Sequence, residues 1–99
     1  MTRDDFARHA NTTFRLRDAG EAALILVDVS ALRASPRQET FSLRFRGAGD
    51  RPLHQATWKL DHAVLGPLDI FLVPVGQDER GRYYEAVFNR LIPLDAGPG

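Results

Sequence analysis

The chain has 99 residues, of which 43% are hydrophobic and 26% charged, and its thirteen basic residues balance thirteen acidic ones. This length allows one small domain with a single core, and the absence of cysteine excludes disulfides and thiolate chemistry. A net charge of zero argues against a nucleic-acid partner, and we predict none.

The N-terminal segment predicts a capped helix rather than a targeting sequence. Thr2 followed three residues later by Asp5 is typical of a helix N-cap, and we expect a short helix over residues 3–9 with Phe6 as its apolar contact. The segment lacks the apolar run of a secretory signal, and no apolar stretch of the chain has the length of a membrane span. We therefore expect a cytoplasmic protein without a membrane partner.

Six short runs have the pattern of strands and are separated by turn residues. The clearest covers residues 40–46, where every second side chain is apolar, as a strand with one buried and one exposed face requires. The polar segment 34–38 contains Pro36 and is expected to be a loop. The strands are predicted over residues 12–17, 22–32, 40–46, 56–62, 68–75 and 82–92.

These elements predict an all-β fold. Six antiparallel strands with short connections describe a six-stranded antiparallel meander, preceded by a short N-terminal helix. Such strands close into a small barrel or stack as a two-layer sandwich, and the pattern does not separate the two. Residues 1–92 are expected to form a single all-β domain, and residues 93–99, rich in proline and glycine, a flexible C-terminal tail.

The second and fifth strands are apolar on both faces, which is more than one small sheet covers in a monomer. Uncovered apolar surface normally marks a contact site. We therefore predict an interface on the second face of these strands, through which the protein self-associates or binds a protein partner. The candidate interface residues are Ile25, Val27, Val29, Phe71 and Val73.

The charged side chains suggest ion pairing rather than catalysis. Glu85 lies in the middle of the sixth strand and is predicted to form a buried ion pair, with Arg44 as the candidate partner and Arg46 or Arg15 as alternatives. His54, Asp61 and His62 are the nearest approach to a metal site, but neighbours on a strand face opposite sides. No nucleophile or second acid is identifiable near Glu85, so we predict no metal, no cofactor and no enzyme activity.

Four segments carry a resemblance to a known family. They are residues 41–47 (FSLRFRG), 51–60 (RPLHQATWKL), 65–76 (LGPLDIFLVPVG) and 84–89 (YEAVFN). The chain resembles a small family of uncharacterised bacterial domains with the pattern FSLLFRGP … LPQGTYRLEH … LGxLDLFLVPVG … YEAVFN. Some members are encoded near phage-tail-collar proteins, so the resemblance implies an accessory or assembly role, and it implies no catalytic residue.

Two functions of different classes follow as expectations. The first is a non-enzymatic structural or assembly module, self-associating as a homo-oligomer and accessory to a phage-tail-like or surface assembly. The alternative is a small β-barrel that binds an apolar small ligand, with Trp58, Tyr84 and Phe88 lining the pocket. A symmetric oligomer with a solid core would favour the first, and a monomer with a cavity would favour the second.

Overall fold

The structure, a computed structural model, describes residues 2–17 and 22–91 as one short helix and seven strands. The all-β class and the N-terminal helix are confirmed. The predicted tail 93–99 lies outside the described residues, as does Ile92 at the end of the predicted sixth strand. The elements are α1 (Arg3–Ala7), β1 (Thr13–Leu16), β2 (Ala23–Val29), β3 (Arg33–Ser35), β4 (Gln38–Gly47), β5 (Ala56–His62), β6 (Gly66–Asp78) and β7 (Gly81–Leu91).

A capping box starts α1, where the sequence predicts an N-cap at Thr2. The Asp5 N–H donates to the Thr2 hydroxyl (3.4 Å), and the Asp5 carboxylate accepts from the Thr2 N–H (2.7 Å). This bond from the Thr2 backbone holds the pKa of Asp5 below its usual value. The helix ends at Ala7, two residues earlier than expected, because Asn11 turns the chain with a φ of 65° and its N–H donates to the carbonyl of Leu26 (2.6 Å).

Six of the strands form a closed but uneven ring in the order β1, β5, β6, β7, β4, β2, and β2 pairs again with β1. Every pairing is antiparallel. The ring is uneven because ten residue pairs join β4 to β7, whereas three join β1 to β2.

The strand that was not predicted is β3, which takes the place of part of the predicted loop 34–38. β3 pairs with the start of β4, from Arg33 opposite Thr40 to Ser35 opposite Gln38, and Pro36 lies in the turn between them. All three residues of β3 are exposed, so no apolar alternation marks this strand in the sequence. The expectation of six strands was therefore wrong by one.

The order of the strands also differs from that of a plain meander. β5 pairs with β1 instead of β4, so two three-stranded units, β1–β2–β4 and β5–β6–β7, lie side by side. The link 48–55 carries the chain past β7, where the Tyr84 hydroxyl accepts from the N–H of Leu53 (2.9 Å) and Arg82 Nε donates to the carbonyl of Gly49 (2.9 Å). Alternation within a strand carries no information about such a crossing.

The core fills the inside of the ring and is apolar. Phe14 and Leu16 of β1 and Tyr84 and Ala86 of β7 are all buried in it. In the described part of the chain, no helix has the length and apolar character needed to cross a membrane. The buried apolar residues are Phe6, Phe14, Leu16, Leu24, Leu26, Leu43, Phe45, Leu60, Ile70, Leu72, Tyr84 and Ala86.

Candidate functional site

An apolar strip lies on the outer face of β6 and β7, and we call it the β6–β7 patch (Phe71, Val73 and Val87). Phe71 is 51% exposed and Val87 is 55% exposed, whereas Val73 is half-buried. Val73 stands opposite Glu85 of β7, and one step of two residues along each strand leads to Phe71 and to Val87. The three side chains therefore share one face of neighbouring strands.

The five predicted interface residues do not form one surface. β2 and β6 lie on opposite sides of the ring, separated by two strands in either direction. Ile25 is half-buried opposite Arg46, and the bulge at Val27 shifts the register so that Val29 stands opposite Leu43 and packs against the core. The predicted single patch is corrected to Phe71 and Val73, because alternation in sequence does not reveal which strands are neighbours.

The predicted pair of Glu85 and Arg44 lies beside this patch. The two residues stand directly opposite each other on β7 and β4, and Arg44 Nη2 lies 4.0 Å from Glu85 Oε2. The side chain of Glu85 is 36% exposed and that of Arg44 is 51% exposed, so the prediction that the pair is buried is wrong. Burial would require a layer over the outer face of β4 and β7. Such an exposed pair adds little to the stability of the monomer.

A cleft of about 720 Å³ lies between α1 and the ends of β4 and β7, and we call it the α1 groove. Its floor contains Phe41 and Phe88, whose rings stack at 5.2 Å with an angle of 18° between their planes. Phe6 supports both rings from the core, at 6.2 Å from Phe41 and 5.4 Å from Phe88. Leu32, 46% exposed, forms part of the wall. The groove therefore offers an aromatic floor in a cleft open to solvent.

The charges around the α1 groove are paired with each other. Arg90 Nε lies 3.6 Å from Glu39 Oε2, and Arg3 Nη1 lies 3.2 Å from Asp4 Oδ1. Arg3 Nε also donates to the carbonyl of Ser30 (2.6 Å). Two cations thus face two anions, and the lining leaves no net charge for a charged ligand to neutralise.

The three residues predicted to line a ligand pocket are not brought into one groove. Phe88 lines the α1 groove. Tyr84 is buried in the core, with its hydroxyl on the link 48–55. Trp58 packs against the core, and its indole Nε1–H donates to the carbonyl of His54 (3.0 Å). Phe41 is the second floor residue of the groove, and its place beside Phe88 depends on the pairing of β4 with β7.

The third feature is the histidine cluster, defined as His9, Thr12 and His62. His62 is 7% exposed, and its ring lies 4.7 Å from that of His9 in an edge contact. His62 Nδ1 accepts from the N–H groups of Val64 and Leu65, both at 3.0 Å. The Thr12 hydroxyl donates to the carbonyl of His9 (2.5 Å) and lies 2.9 Å from His62 Nε2.

The sequence analysis named His62 but not this cluster, and a sequence signal was present for one of its three members. His62 has the same parity on its strand as Leu60, which is buried, so the alternation places His62 on the inner face. No pattern marks His9, because it follows the short helix in a turn.

Asp61 and His54, the other two residues considered for a metal site, make contacts outside this cluster. Asp61 forms a two-point ion pair with Arg17, at 2.6 and 3.1 Å, and this contact holds the pKa of Asp61 below its usual value. The ring of His54 makes an edge contact with the indole of Trp58, with 5.1 Å between the ring centres. Among residues 2–17 and 22–91, no group of three or more metal-ligating side chains is placed to hold an ion.

Comparison with known proteins identifies a family and no relative of known function. No curated protein and no solved structure matches the chain. The model of one family, described as a domain of unknown function (DUF6916), matches residues 1–88, which include α1 and the ring of strands up to Phe88. The expected resemblance to an uncharacterised family is confirmed: the chain belongs to the DUF6916 family.

Proposed function

We propose that the protein is a non-enzymatic interaction module that self-associates through the β6–β7 patch. The observation that carries the proposal is the exposure of Phe71 and Val87, both more than half open to solvent on neighbouring strands. A large aromatic side chain exposed on an outer sheet face contributes little to the stability of a monomer, and such side chains are typical of contact sites. An accessory role in a phage-tail-like or surface assembly is part of the proposal and rests on the family resemblance alone.

The charges beside the patch favour a second copy of the chain as the partner. In a two-fold interface the same surface faces itself, so the surface must be complementary to its own image. Arg44 and Glu85 carry opposite charges next to the patch, and both are partly exposed with a loose contact of 4.0 Å. Across a two-fold axis, Arg44 of each copy can pair with Glu85 of the other.

Replacing Phe71 by aspartate is expected to weaken self-association by about tenfold or more. Covering a phenylalanine side chain is worth about 1.5–3 kcal/mol, and each 1.4 kcal/mol is a factor of ten in the dissociation constant. Sedimentation equilibrium over a concentration series measures the change. The matched control is Val64→Asp, because Val64 is 70% exposed in the turn before β6 and lies outside the patch.

The charged pair gives the same experiment a second arm. Arg44→Glu and Glu85→Arg should each weaken the dimer, and the double exchange should restore it, since opposite charges again meet across the axis. A wild-type protein that stays monomeric at every concentration contradicts the proposal. Equal loss in Phe71→Asp and Val64→Asp contradicts the choice of surface.

The α1 groove favours a second candidate function, the binding of an uncharged apolar small molecule. Its volume of about 720 Å³ lies in the range of small-molecule sites, and its floor is aromatic. This candidate moves the expected ligand from the inside of the ring, where the core side chains are packed, to the cleft beside α1.

Leu32→Asp is expected to abolish binding of an uncharged aromatic probe at this groove. N-phenyl-1-naphthylamine, whose fluorescence rises in apolar surroundings, is a suitable probe, and the measurement is a fluorescence titration. The substitution places a charge on the wall without removing a core residue, because Leu32 is partly exposed. Val64→Asp serves again as the control. No saturable signal in the wild type, or an unchanged signal in Leu32→Asp, counts against this candidate.

A further inference from the structure

The hydrogen bonds of the histidine cluster determine the protonation state of His62. Nδ1 accepts two N–H groups, from Val64 and Leu65, so it carries a lone pair and no proton. The Thr12 hydroxyl donates its only proton to the carbonyl of His9, so it can only accept a hydrogen bond from His62. His62 is therefore neutral with its proton on Nε2, and it donates that proton to Thr12.

This neutral ring joins three parts of the fold. Through Thr12 it is tied to the carbonyl of His9, which follows α1. Through Nδ1 it holds the turn between β5 and β6, and its ring lies 4.5 Å from that of Phe14 in β1. The backbone carbonyl of Thr12 also accepts from the N–H of Leu26 (3.1 Å), so the N-terminal segment is fixed to the ring of strands at this point.

A proton added at Nδ1 would break this arrangement. The new N–H would point at two N–H donors, which would both lose their acceptor, and a buried donor without a partner is unfavourable. The new charge would also be buried beside the ring of His9. The charged and titratable groups around the depression over His62 are His9, Arg15 and Asp61, and Asp61 is already paired with Arg17.

We propose that the histidine cluster is an acid-sensitive switch: neutral His62 holds residues 2–12 on the ring of strands, and protonation of His62 releases them. Burial, and after it the proximity of His9, lowers the pKa of His62, in agreement with this geometry. Because His62 binds the proton better once residues 2–12 are released, the attachment is complete above the ordinary histidine pKa of about 6.5 and is lost as the pH falls below it. Thr2, Arg3 and Asp4 form a wall of the α1 groove, so release also opens that groove.

Backbone amide hydrogen exchange at pH 7.5 and at pH 5.0 tests the switch, with each rate corrected for its intrinsic pH dependence. The amides of His9 and Asn11 should lose protection by about tenfold for each unit by which the pKa of His62 lies below its ordinary value. The amides of Leu43 and Ala86, in the long β4–β7 pairing, should keep theirs. A ¹⁵N spectrum at pH 7.5 should show His62 protonated on Nε2 alone.

Two variants separate the switch from general acid sensitivity. His62→Asn keeps an acceptor where Nδ1 was and cannot be protonated, so the exchange of residues 6–12 should no longer depend on pH. His9→Phe keeps the ring contact and removes a titratable neighbour, so the midpoint of release should move to higher pH. Unchanged protection in the wild type at pH 5.0, a proton on Nδ1 at pH 7.5, or a full pH response in His62→Asn would each overturn the proposal. If His62→Asn does not fold, the direction of the shift in His9→Phe decides.

Discussion

Replacing Phe14 by alanine is expected to lower the free energy of unfolding by about 3–5 kcal/mol, the usual loss for a buried aromatic residue. Phe14 is fully buried in β1, and its ring meets that of Phe45 edge-on at 5.3 Å. The ring of His62 lies 4.5 Å away on another side. Alanine would leave a cavity between β1, β4 and β5 that these neighbours cannot fill without moving. Urea unfolding followed by tryptophan fluorescence measures the change. The slope of the free energy of unfolding against urea concentration should stay the same.

The matched control is the same substitution on the outer face. Phe71→Ala should change the stability of the monomer by no more than about 0.5 kcal/mol, because half of the side chain already lies in water. The measurement needs a protein concentration below that of self-association. Similar losses in both variants would mean that the assignment of inner and outer faces is wrong. A large loss in Phe71→Ala alone would mean that Phe71 serves folding rather than contact.

Strand positions were predictable where both faces of the strand have clear environments. The fourth predicted strand, residues 56–62, is observed as β5 with the same bounds (Ala56–His62), because Trp58 and Leu60 alternate with Thr57 and Lys59. The capping box at Thr2 and Asp5 was predictable for a similar reason, since it depends on two residues at a fixed spacing.

Strand order could not be predicted from the same patterns. Alternation places Leu43 inside and Arg44 outside, but it does not say that β4 pairs with β7 rather than β5. The choice depends on the link 48–55, whose contacts to Arg82 and Tyr84 are long-range. The error in the interface follows directly, because the two apolar strands that looked alike in sequence lie on opposite sides of the ring.

The Glu85–Arg44 pair shows how far the sequence defines a candidate site. Glu85 was chosen because it lies in the middle of a strand, on a face that could be partly buried, and Arg44 because it could pair with it; the two do stand opposite each other. Their exposure depends on whether another layer covers the sheet, which only the assembled fold reveals. The same limit hid the α1 groove, whose floor joins residues from two strands distant in sequence.

Replacing Gly81 by alanine is expected to lower the free energy of unfolding by about 3 kcal/mol, from backbone strain and from a steric clash together. Gly81 starts β7 with a φ of +148°, a conformation that side chains rarely allow. A Cβ at this position would overlap the carbonyl oxygen of Gly47 and lie 3.3 Å from its carbonyl carbon. Since both partners are backbone atoms, the start of β7 and the end of β4 would have to separate, and that pairing helps to close the ring.

Gly76→Ala in the same hairpin is the control, because a Cβ there meets no atom within 4 Å and the residue is outside the left-handed region. Its stability should stay within about 0.5 kcal/mol of the wild type. Thermal and urea unfolding of both variants, measured side by side, give the difference. If Gly81→Ala is as stable as Gly76→Ala, β7 does not approach Gly47 as closely as described, and the ring must be more open between β4 and β7. A loss confined to Gly81→Ala would instead show that the two long strands meet backbone to backbone at this end.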